Sequence, residues 1–282
     1  MSVRIRIGTR GSALALWQAE EVARLLRGAG YEPELVIVKT TGDKRTDVSL
    51  ASIGGKGLFI KELEESLERG QCDVAVHSLK DVPSIIPDHL VLAGFLERAD
   101  ARDVWISDRP IGELPTGAII GSSSPRRRAQ LLALYPRLAV RDIRGNVDTR
   151  IEKARRGDYA GVVLAAAGLI RLGRAHDVVS YFSLDEIVPA AGQGVIAIEC
   201  LRDHELANEA ARAVNHEVSE IAALRERGVL AKFGTRLDCY SEIAVHATND
   251  DTIRAFFHGV RVKYTGPDAV ETVYEELSCV KG

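Results

Sequence analysis

For its first 200 residues the chain alternates short β-rich runs with amphipathic helical patterns, which restricts it to α/β layers built on mainly parallel sheets. Residues 3–9 (VRIRIGT) alternate as a strand. Ser12 can then cap a helix reaching about residue 28, with an apolar stripe of Leu14, Trp17, Val22, Leu25 and Leu26. ELVIVKT (34–40) and CDVAVHS (72–78) read as buried strands flanking a helix that starts near 58. Further strands are predicted at 91–96, 104–107, 117–122, 138–143 and 160–165, with helices at 125–134 and 146–156. VIAIEC (195–200) again reads as a buried strand, consistent with a return to the first domain. After residue 215 the texture changes: a helix at 217–233, alternating segments at 241–247 and 252–262, and a last helix at about 267–278.

Charge is distributed unevenly over this frame. Between 121 and 156 lie nine arginines and Lys153 against Asp142, Asp148 and Glu152, a local excess of +7 in a chain whose net charge is −3. Arginine presents a planar fork of donors that matches carboxylates and phosphates two bonds at a time, so the stretch suits a ligand with several negative charges. The near-neutral total argues against a general nucleic-acid coat protein, and the basic stretch has no aromatic interleaving for base stacking. No apolar run is long enough for a membrane span, and the first residues start as a strand rather than as a signal segment. Cys72, Cys200, Cys239 and Cys279 lie far apart without metal-ligand spacing. The expectation is a cytoplasmic protein with no metal, in which three of the four cysteines are reduced structural thiols.

Three strand-to-helix junctions carry candidate chemistry. Asp81, in HSLKDVPS, follows the strand CDVAVHS and adjoins Lys80. Open α/β sheets place ligands at the carboxyl ends of their strands, so this carboxylate can stabilise a cation or shuttle a proton, or it is a turn aspartate ahead of Pro83. Thr9-Arg10-Gly11-Ser12 and Gly121-Ser122-Ser123-Ser124 before Arg126 and Arg127 are the other two, each an anion cradle or simply a helix cap. Gly54-Gly55-Lys56-Gly57 opens the helix near 58 without a Walker ending and reads as a phosphate cradle or a loop. Cys239, in FGTRLDCYSEIAVHA, is either a small buried hydrophobe or a thiol activated near Arg236.

Taken together, IGTRGSALALWQ, TTGDK, GGKGLFIKELE, DVAVHSLKDVP, GSSSPRRRAQL, RDIRGNVDTRIEK, LAAAGLIRLG and PAAGQGVIAIEC occur in the order found in porphobilinogen deaminases, also called hydroxymethylbilane synthases. The chain resembles that family from residue 5 to about 217. The resemblance implies two α/β lobes like those of periplasmic binding proteins, 1–96 with 195–214 and 97–194, plus a small α+β third domain at 217–282. It implies a transferase of tetrapyrrole (haem) biosynthesis that condenses four porphobilinogen molecules head to tail into hydroxymethylbilane, releasing ammonia. It also implies a dipyrromethane cofactor joined by a thioether to a cysteine of the third domain. Carried over by motif, Asp81 is the catalytic aspartate. Lys80, Asp81, Ser123, Arg126, Arg127 and Arg144 are implied to hold the cofactor, and Arg10, Ser12, Gln18, Arg150, Arg171 and Gln193 the substrate. Counting back from Ile243-Ala244-Val245-His246 places Cys239 at the attachment position, although the family's preceding glycine pair and following proline are absent here. Arg128, Arg137, Arg155 and Arg156 are read as surface residues. A two-lobed binding protein, or a degenerate deaminase that binds pyrrole carboxylates without turnover, is the alternative.

Overall fold

The computed structural model describes residues 3–39, 60–234 and 241–280. In chain order the elements begin with β1 (Val3–Thr9), α1 (Ala13–Gly28), β2 (Tyr31–Ile37), α2 (Lys61–Glu68), β3 (Val74–Ser78) and β4 (Leu90–Phe95). Then come β5 (Asp103–Ile106), β6 (Ile119–Gly121), α3 (Pro125–Leu134), β7 (Ala139–Arg141), α4 (Val147–Arg155), β8 (Gly161–Ala165), α5 (Ala166–Arg171) and β9 (Ser180–Tyr181). The chain continues through β10 (Ile196–Leu201), α6 (Glu205–Ala213), α7 (Glu217–Lys232), β11 (Ala244–Ala247), β12 (Thr252–Phe257), β13 (Val260–Thr265) and α8 (Ala269–Ser278). It divides into two compact units, Met1–Ala99 with Val195–Leu224, and Asp100–Gly194 with Arg225–Gly282.

The first unit holds a five-stranded sheet in the order β2-β1-β3-β10-β4. Alternation along each strand assigns side chains to its two faces. Ile5, Ile7, Val74, Val76 and Ile198 pack with Val22 and Leu26 of α1 and Ala210 of α6. Ala75 of the opposite face packs with Leu63 and Leu67 of α2. Helix α1 starts where the sequence predicts, with Ser12 extended and its Oγ accepting from the backbone N–H of Ala15.

The second unit repeats the plan with β7-β6-β8-β5-β9. Trp105, Ile120, Leu131, Val140 and Val163 form one layer, and Val104, Ile106, Ile143, Ile151, Val162 and Leu164 the other. Gly161 is dictated by Trp105: a Cβ there would stand 2.2 Å from the indole. The antiparallel sheet β11-β12-β13 belongs to the same unit, and Phe256 packs with Ala244 and Val188. Arg261 of β13 donates to the carbonyls of Asp185 and Glu186, and Arg254 of β12 to the Asp185 carboxylate.

In both five-stranded sheets four strands run one way and a single strand is reversed, β10 in the first and β5 in the second. Each reversed strand is the first one formed after the chain crosses from the other unit. The mainly parallel expectation therefore describes strand direction, while two of the four ladders in each sheet are antiparallel. A reversed strand begins at the edge where its neighbours end, which places β5 and β10 starts beside the loops that carry the candidate site.

Candidate functional site

In the first unit β1 and β3 are parallel neighbours, so the segments leaving their carboxyl ends share one sheet edge. Arg10, Gly11 and Ser12 follow β1, and a short 3₁₀ turn at Leu79–Asp81 follows β3. The turn is pinned from below by buried Leu79 and Val82 and by the Leu79 N–H, which donates to Val195 O at 3.0 Å. Asp81 is exposed on this fixed base, with Lys80 half-buried beside it. A fixed, accessible carboxylate is suited to stabilising a developing cation without reorganisation. Gln18 of α1 is buried, and its Nε2 donates to Ser78 Oγ at 2.7 Å. Arg10 and Ser12 are half-buried, and Ser12 Oγ serves as the helix cap.

One strand position deeper, His77 Nε2 lies 3.0 Å from Glu199 Oε2, and both side chains are buried. Burial, followed by the charge of Glu199, raises the carboxyl pKa of Glu64 on α2. Glu199 has no assigned role in the sequence reading. Its only trace there is an acidic residue inside the apolar run VIAIEC.

In the second unit β6, β7 and β8 are parallel, and their exits again share one edge. Ser123 joins two of these loops, its Oγ donating to Ile143 O at 2.7 Å and accepting from Ile143 N at 2.9 Å. Ser124 caps α3 by accepting from Arg127 N, and Asn146 caps α4 by accepting from Thr149 N. Gly145 between Arg144 and Asn146 has φ +117, and a Cβ would meet the Thr149 side chain at 2.5 Å, so the turn requires glycine. Arg150 Nε donates back to Gly145 O, and Lys153 Nζ to Arg144 O. Both helix starts thus face the same edge as the half-buried Arg144 and Arg150, a favourable setting for anions.

Arg126 and Arg127 lie beneath this edge, around a residue that the sequence reading does not single out. Asp103, the first residue of β5, is fully buried. Arg126 Nη2 stands 2.8 Å from its Oδ2, and Arg127 Nη2 stands 2.7 Å from its Oδ1. Arg127 Nε and Gln193 Nε2 also donate to Oδ1, while Arg126 Nη1 donates to Val188 O and Arg127 Nη1 to Val163 O. Burial pushes the Asp103 carboxyl pKa up, but the charges of Arg126 and Arg127 and the hydrogen bonds of Arg127 and Gln193 outweigh it and hold the group far below the usual range. Gln193 donates further to Ala101 O at 2.6 Å, and Arg171 Nη2 to Gly194 O at 2.7 Å.

The structure thus gathers Arg10, Ser12, Gln18, Lys80 and Asp81 at the edge of the first unit. It gathers Ser123, Arg126, Arg127, Arg144 and Arg150 at the edge of the second, with Gln193 and Arg171 tied to nearby backbone. Cys239 and the Gly54–Gly57 segment lie outside the described residues. Two guanidiniums against one carboxylate leave the Asp103 cluster with a surplus positive charge, a donor set that fits a carboxylate-bearing cofactor. Among the arginines read as surface residues, Arg155 pairs with Asp177, Arg156 with Asp158, and Arg137 donates to Gly112 O. Among the described residues no helix is long and apolar enough to cross a membrane, and no cluster of metal-ligand type occurs.

Residues 5–209 match the family described as porphobilinogen deaminase, dipyromethane cofactor binding domain. The porphobilinogen deaminase of Geobacter sulfurreducens is 48% identical over 246 residues, covering 86% of this chain and 77% of its own. That of Syntrophomonas wolfei subsp. wolfei is 47% identical over 234 residues, covering 82% and 76%. The chloroplastic porphobilinogen deaminase of Oryza sativa subsp. japonica is 43% identical over 279 residues, covering 96% and 76%. Among solved structures, immunogenic lipoprotein A from Vibrio vulnificus is similar with a TM-score of 0.47 at 14% identity, covering 79% of this chain and 99% of its own.

Proposed function

The chain belongs to the porphobilinogen deaminase family, and from that premise we propose how the residues at its two sheet edges divide the work. The protein is a transferase that condenses four porphobilinogen molecules into hydroxymethylbilane with release of ammonia, using a dipyrromethane cofactor. When bound, the cofactor supplies the pyrrole carbon from which the chain grows.

Asp81 is the catalytic residue in this reading. Its carboxylate balances positive charge on the reacting pyrrole nitrogen and takes part in proton transfer there. The observation that carries the reading is the placement of an exposed Asp81 on a buried Leu79–Val82 base, at the same edge as Arg10 and Ser12. Arg10, Ser12, Arg150 and Arg171 bind substrate carboxylates; Gln18, expected among the substrate groups, is buried and supports that site through Ser78, and Gln193, expected there too, is buried and bonds to Asp103 on the cofactor side. Lys80, Ser123, Arg126, Arg127 and Arg144 hold the cofactor carboxylates. Cys239 forms the thioether, and Gly234 and Ser241 on either side of it belong to the second unit, with the arginine edge.

The three-domain division, with 217–282 carrying the attachment cysteine, is part of the same proposal, as are a monomeric state, a cytoplasmic setting and the absence of a nucleic-acid partner. Burial raises the Cys200 thiol to about 11 and also raises Cys72, which keeps both as unreactive thiols. The internal pairing of Arg155 and Arg156 removes charge from any phosphate track. The deciding experiment is the intact mass of the purified protein. It should exceed the sequence mass by one dipyrromethane unit, and Cys239→Ser should remove the excess. Active protein with an unmodified Cys239 would overturn the attachment.

A further inference from the structure

Asp103 has two cations where folding needs one. A buried carboxylate is neutralised by a single guanidinium, and each further buried charge costs desolvation that a structural pair does not repay. Arg126 and Arg127 are nevertheless both directed at Asp103, with side chains 5% and 8% exposed and the aspartate at 0%. Burial, and then the charge of Arg127, lower the pKa of Arg126 against the opposing charge of Asp103. Among the described residues, the remaining neighbours that accept from the two arginines are neutral: Val188 O and Val163 O. The cluster therefore carries a net charge of one cation, seated under the loops of Ser123 and Arg144.

We propose that Asp103 is a positioning residue for the cofactor site: it absorbs one of the two guanidinium charges and fixes the plane of Arg127 beside its ion pair with Arg126, so that Arg126 and Arg127 together offer a single positive charge to one carboxylate of the dipyrromethane. Gln193 completes the arrangement by donating to the same Oδ1 as Arg127. The inference rests on the deaminase reading and adds a count to it, namely one ligand carboxylate for this arginine pair.

Charge counting provides the test. Arg126→Met leaves Arg127 and Asp103 as a neutral pair, so the variant should fold while the fraction of purified protein carrying the dipyrromethane mass falls about tenfold, the worth of a charge-assisted hydrogen bond. Adding Asp103→Asn to Arg126→Met restores the single surplus charge and should recover much of the lost loading. Recovery on removing a second residue is not expected of a role confined to stability. Wild-type loading of Arg126→Met, or a folded double variant that loads no better than Arg126→Met, would overturn the proposal. If the double variant is not recovered folded, Asp103→Glu decides: reduced loading at an unchanged melting temperature supports positioning, and wild-type loading refutes it. Absence of the added mass from the wild-type protein would instead remove the deaminase reading itself.

Discussion

Gln18 and Ser78 are joined by a 2.7 Å hydrogen bond that ties the first helix to the end of β3, three residues before Asp81. Gln18 is buried and spends its amide donor inside the first unit. Gln18→Leu should therefore lower stability by about 1 kcal/mol and reduce kcat through a less rigid Asp81 turn, leaving KM for porphobilinogen unchanged. A raised KM at constant kcat would show instead that Gln18 contacts the substrate.

Asp81 itself is exposed, so its removal costs the fold little. Asp81→Ala should keep the melting temperature within about 1 °C while turnover falls by about 10²-fold or more, as expected when a preorganised charge is deleted. Substantial residual turnover would refute the cation-stabilising role.

Arg144 and Arg150 flank the glycine turn that starts α4. Arg144→Leu or Arg150→Leu should impair cofactor loading or extension of the bound chain more than stability. Mass spectra of protein mixed with porphobilinogen should show fewer added rings than wild type. Loss of the Arg150–Gly145 bond alone is worth about 1 kcal/mol. Earlier melting with normal ring addition would make these arginines structural.

Gly161→Ala forces a methyl group to 2.2 Å from Trp105 and should destabilise by about 1–3 kcal/mol, read as a shift in the urea midpoint. Gly112→Ala, which meets open space, is the matched comparison and should move the midpoint little.

Acid stability follows from Asp73 and Asp103. Burial raises the Asp73 pKa, but the hydrogen bonds from Arg6 more than reverse this, so it lies below its usual value of 3.8; Asp103 is lowered further. Depressed folded-state values give stability that is complete above the unfolded pKa of about 4 and is lost as pH falls through the folded ones. Urea titrations should give a midpoint that falls as pH drops below about 4. A midpoint unchanged at pH 3 would contradict this.

What was legible in the sequence was local. Ser12 announced the start of α1, the alternation of residues 3–9 announced β1, and HSLKDVP placed Asp81 at a strand end. The helix α6 was missed because its face is built from Ala207, Ala210 and Ala211, whose small side chains give little contrast with a surface. The reversal of β5 and β10 was invisible because strand direction is set by the connection leading in, not by strand composition. Asp103 was missed for a related reason: its partners lie 24 and 90 positions away, and a lone aspartate before Val-Trp-Ile carries no mark of burial. His77 and Glu199 are separated by 122 positions and were equally silent.

The reversed β5 imposes a rule on strand register as well as on residue choice. Asp103 is the first residue of that strand and pairs with Ala165, so a one-residue slip of β5 against β8 would turn its carboxylate to the opposite face of the sheet. Such a slip would cost the arginine pair its anion as surely as mutating the aspartate.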